Sequence, residues 1–107
     1  MITPESGFES VFRNSMISAL RNLLGEGGTD AIVFHAKLTE TNDIRAIHQK
    51  LSSFFKMGTP VLERAIVKEL FAAMKIPYHE RDQFDFMKEF NEASSRFVSS
   101  GEGRQAP

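Results

Sequence analysis

The chain has 107 residues, 41% hydrophobic and 25% charged, an ordinary balance for one globular domain with a single core. Thirteen basic against fourteen acidic residues leave a net charge of -1, without the overall basic balance of a nucleic-acid binder. With no cysteine, disulfides and thiolate metal sites are excluded.

The first predicted element opens at Thr3-Pro4-Glu5, where Thr3 can cap, Pro4 suits the first helical position and Glu5 complements the helix dipole. Phe8, Phe12, Met16, Leu20, Leu23 and Leu24 recur at helical spacing. A helix from Pro4 to Leu24 would be roughly 30 Å long. Gly25 stands where a left-handed residue commonly closes a helix, and Thr29 or Asp30 can cap a second one. Ala31, Ile32, Phe34, His35 and Leu38 are its expected inward positions. "TETND" (39–43) is a joint, after which Ile44, Ile47, Leu51, Phe54 and Phe55 share one face of a third helix.

Met57-Gly58-Thr59-Pro60 is the clearest punctuation: Gly58 ends a helix, Thr59 caps the next and Pro60 starts it. The fourth helix (60–75) should bury Leu62, Ala65, Ile66, Leu70 and Met74, flanked by Val61 and Phe71. Glu63, Arg64, Lys68 and Glu69 then form its outer face. Ile76-Pro77 breaks it, because a residue before proline avoids the α region. Asp82 can cap a fifth helix, Gln83 to Val98, with two apolar lines: Phe84 with Met87, and Phe86, Phe90, Ala93 and Phe97. The expected architecture is all-α, about five helices in bundle-like or orthogonal packing. One domain spans 1–98, and a disordered tail covers 99–107.

The first thirty residues lack a signal peptide's pattern, and the longest apolar run, Leu70 to Met74, is too short for a bilayer. A cytoplasmic protein without membrane contact is expected.

Three glycines in "LLGEGGTDAI" (23–32) invite a phosphate-cradle reading. The P-loop spacing ends in Gly-Lys-Ser/Thr, whereas here Thr29-Asp30 comes next, and Asp30 would repel phosphate. The glycines therefore read as a helix joint. His35, His48 and His79 show no metal spacing such as His-Glu-x-x-His, and no serine occupies a nucleophile elbow. No cofactor, metal or catalytic group is implied, and an enzyme is the least supported class.

Two interaction readings remain. Ten Phe against one Tyr and no Trp are many rings for so small an interior. Phe84, Phe86, Met87, Phe90 and Phe97 therefore either complete the core or meet a protein partner or a second copy. The alternative is a helix-turn-helix centred on Met57–Pro60, with Lys56, Arg64 and Lys68 as the DNA contacts. Residues 36–75 hold seven Lys/Arg against four acids. A reader helix beginning Pro60-Val61-Leu62-Glu63 is apolar and acidic, which disfavours it.

Three stretches, "LGEGGTDAIVFH" (24–35), "MGTPVLERAIVKELF" (57–71) and "FDFMKEFNEAS" (84–94), together resemble the Nitrosopumilus output domain family of the fifth type. The resemblance covers about residues 15–94 and is carried mostly by core and cap positions. It implies a small helical archaeal domain with a signalling-output role and no catalytic residues. The combined expectation is a non-enzymatic regulatory or protein-interaction domain, able to self-associate.

Overall fold

The computed structural model describes residues 4–40, 43–79 and 82–99, where the regular structure is entirely helical. Four α-helices occur in chain order: α1 (Pro4–Ala36), α2 (Ile44–Phe55), α3 (Thr59–Ala73) and α4 (Phe86–Ser99). Single 3-10 turns lie at Leu38–Glu40 and Lys56–Gly58. The all-α class holds. Five separate helices do not, because the first two expected helices are one element with a bend. Thr3 and residues 100–107 of the expected tail lie outside the described residues.

The bend is at Gly25 (φ 76, ψ 176), and helical dihedrals resume at once beyond it. No loop intervenes, so Thr29 does not cap a new helix. Its buried hydroxyl donates instead to the Gly25 carbonyl at 2.7 Å. Before the bend, Phe8, Phe12, Met16, Ala19 and Leu20 are buried along one face. The non-helical step at Gly25 shifts the phase of the second limb of the helix. The inward row there falls on Thr29, Ile32, Val33 and Ala36, leaving Ala31, Phe34 and His35 less covered than their spacing predicts. Leu23 and Leu24, also expected inside, are exposed at the bend.

Asp43 caps α2: its side chain accepts from the Arg45 N–H at 3.0 Å. Ile47 and Leu51 are buried, and Phe55 packs against the core. α3 lies chiefly along α1 and buries Leu62, Ile66, Val67, Leu70 and Phe71. It closes before Ile76-Pro77 in a Schellman arrangement. The Ile76 N–H reaches the Phe71 carbonyl at 3.1 Å and the Lys75 N–H reaches the Ala72 carbonyl at 3.0 Å. Lys75 supplies the left-handed residue (φ 60) that glycine commonly provides. α4 starts later than expected, because Asp85 rather than Asp82 caps it: Asp85 Oδ1 accepts from the Lys88 N–H at 3.1 Å.

Candidate interaction surface

The Phe-rich helix spends its main line inside the molecule. Phe86 and Phe97 are buried, and Phe90 is half-buried against α1. Phe90 meets Phe12 edge-on at 5.0 Å and Phe8 at 5.4 Å, while Phe97 lies 5.4 Å from Phe8. Phe86 and Phe97 are therefore not a free interface, because two turns of α1 supply the rings that cover them. Phe84 is half-buried beneath the Arg64 guanidinium, which sits 5.0 Å from its centroid, and Met87 is half-buried. The hollow lined by Phe12, Met16, Leu38, Ile47 and Phe90 holds about 10 Å³, at the lower limit for one water.

The uncovered apolar side chains lie elsewhere. Phe54, in the last turn of α2, is 46% exposed, Met57 in the next turn 94%, and Val61 in the first turn of α3 65%. The spacing places Phe54 inward, but the α2 side chains that face the core are Ile44, Ile47, Leu51 and Phe55. Phe34, at 76%, is a separate exposed ring on α1.

The backbone of this corner is held from within. Lys56, not Gly58, makes the reversal: it has φ 53 and ψ -121, whereas Gly58 keeps an ordinary φ of -80. That combination suits glycine, so the lysine holds backbone strain. Thr59 does not cap α3 by accepting from its N–H groups. Its buried hydroxyl donates to the Lys56 carbonyl at 2.7 Å, which pins the turn.

Behind the turn, α2 and α3 are joined by an acid–imidazole pair. His48 Nδ1 lies 2.5 Å from Glu63 Oε2, with Glu63 buried and His48 half-exposed. Its charge suggests the outer face of α3 for Glu63, but it sits four residues after Thr59 and three before Ile66, on the buried row. That phase is the signal by which the sequence could have shown it. Burial raises the Glu63 carboxyl, and the Asp85 charge adds to this. The hydrogen bond and charge of His48 oppose both without cancelling them. His35 and His79 lie outside this pair.

Of the residues named as DNA contacts, Lys56 is exposed in the strained turn, Arg64 covers Phe84, and Lys68 is exposed one helical turn beyond Arg64. Lys56 stands in sequence between the exposed Phe54 and Met57, while Arg64 and Lys68, four residues apart, share one face of α3. Among the described residues no cluster of three or more His, Asp or Glu could hold a metal, and no helix is long and apolar enough to cross a membrane. No family model, no curated protein and no solved structure matches the chain, so the reading of this corner rests on its own geometry.

Proposed function

We propose that this chain is a non-enzymatic protein-interaction domain, a regulatory or output module that docks a partner protein at the α2–α3 corner. The observation that supports this most is the exposure of Phe54, Met57 and Val61 on a turn pinned by Thr59 and backed by the His48–Glu63 pair. Apolar side chains held out on a rigid support gain free energy when a partner covers them. The three stretches resembling an archaeal output domain family favour the same class of role. A DNA-reading helix is less favoured, since exposed Met57 and Val61 offer nothing to phosphate or to base edges.

The double variant Met57→Asp/Val61→Asp tests it. Both side chains are in solvent, so its unfolding free energy in urea should stay within about 0.5 kcal/mol of the parent. A partner retained by the parent chain from extracts of its source cells should be lost. Unfolding of the variant, or retention of the same proteins by both, would show that the corner does not dock.

A further inference from the structure

We infer that the partner presents an acidic segment carrying apolar anchors, and that it is not a second copy of this chain; the inference rests on the docking reading above. Residues 44–62, which run through α2, the turn and the start of α3, contain Arg45, Lys50 and Lys56 and no Asp or Glu. The next two carboxylates are turned to other tasks. Glu63 is buried against His48, and Glu69 accepts from the Asn22 amide of α1 at 3.2 Å. Lys50 reaches the Ala36 carbonyl at 2.8 Å, at the end of α1. The charge standing within the apolar corner itself is therefore Lys56, which is exposed between Phe54 and Met57.

This pattern decides between occupants. A two-fold contact between copies would bring two copies of this stretch together, with Arg45, Lys50 and Lys56 on each side and no carboxylate from residues 44–62 to answer them. A partner with Asp or Glu around its apolar anchors meets the same corner with complementary charge. Phe54, Met57 and Val61 stand exposed on either side of the reversal at Lys56. An amphipathic helix with acidic flanks offers apolar anchors to such side chains, and the unbranched Met57 can adjust to them. The strain at Lys56 is a second observation of the same kind. Glycine would make this reversal without it, and such outliers concentrate where a side chain is used.

The test uses the whole chain and peptides of about 16 residues, four helical turns, with Leu and Phe at i, i+3, i+4 and i+7. The remaining positions are Glu in one peptide, Gln in a second and Lys in a third, and a duplex DNA oligomer is the fourth probe. The Glu peptide should bind at least about tenfold more tightly than the Lys peptide and more tightly than the Gln peptide. Raising salt from about 50 to about 300 mM should narrow that gap. Lys56→Glu should reverse the preference while circular dichroism stays unchanged, and Met57→Asp/Val61→Asp should remove binding of all three.

Equal binding of the Glu, Gln and Lys peptides would overturn the acidic partner and leave the docking reading standing. Light scattering that shows a dimer of the parent chain, lost in Met57→Asp/Val61→Asp, would do the same and make a second copy the occupant. Binding of the DNA alone, or of no probe at all, would overturn both.

Discussion

Burial raises the Glu63 carboxyl above its ordinary value near 4.5, and the facing His48 offsets this only in part. Between the ordinary and the raised value the folded chain holds a proton that the unfolded chain has released. The stability Glu63 contributes is thus fully present below the ordinary value and is lost as pH rises through the raised one. Glu63→Gln keeps an acceptor for the His48 ring but removes the titration. In urea unfolding across weakly acidic to neutral pH, the parent should lose stability relative to Glu63→Gln as pH rises. A difference between the two that does not vary with pH would mean the carboxyl is not desolvated. His48 is legible in the sequence as a half-exposed histidine. Its partner is not, because charge alone assigns Glu63 to the outside, whereas its place between Thr59 and Ile66 sets it on the inside.

At the scale of the element, helix phase and punctuation explain both what the sequence reveals and what it hides. Pro60 in a first turn and the break near Ile76-Pro77 both come from local chemistry and are found in place. The three glycines of 25–28 read as one joint in the sequence, yet only Gly25 bends the chain. Its dihedrals lie in a region kept almost wholly by glycine, so Gly25→Ala should cost roughly 1–3 kcal/mol in chemical denaturation. Gly27 has open space around it and no positive φ, so Gly27→Ala should stabilise by about 0.5–1 kcal/mol. Similar losses at both positions would mean that the whole stretch behaves as a loop. The inward face of the far limb of α1 is hidden for the same reason, since a single non-helical residue rotates every later position.

For the whole molecule, the rings of Phe8, Phe12, Phe86, Phe90 and Phe97 join the first helix to the last. Phe97→Ala should therefore cost about 3–5 kcal/mol and lower the urea midpoint, although the residue is near the end of the chain. A loss below about 0.5 kcal/mol would place the α4 rings outside the cooperative core. The sequence shows that ten Phe are many for such an interior but not which of them are left over. That depends on how α1 and α4 lie together, a long-range matter that no local spacing encodes. In the folded chain α4 is largely absorbed, and the surplus rings are Phe34 and Phe54.

Positive φ values at Lys37, Lys56 and Lys75 mean that α1, α2 and α3 each close on a lysine. A left-handed lysine costs about 1–2 kcal/mol. Its charge near a helix C-terminus returns about 0.3–1 kcal/mol, so each closure leaves a small deficit. For a domain of this size 1 kcal/mol corresponds to roughly 4–8 °C in melting temperature. Each such helix end therefore forgoes a small part of the chain's heat tolerance. At Lys37 and Lys75, away from the proposed docking corner, that margin is open to recovery without touching the surface a partner would meet.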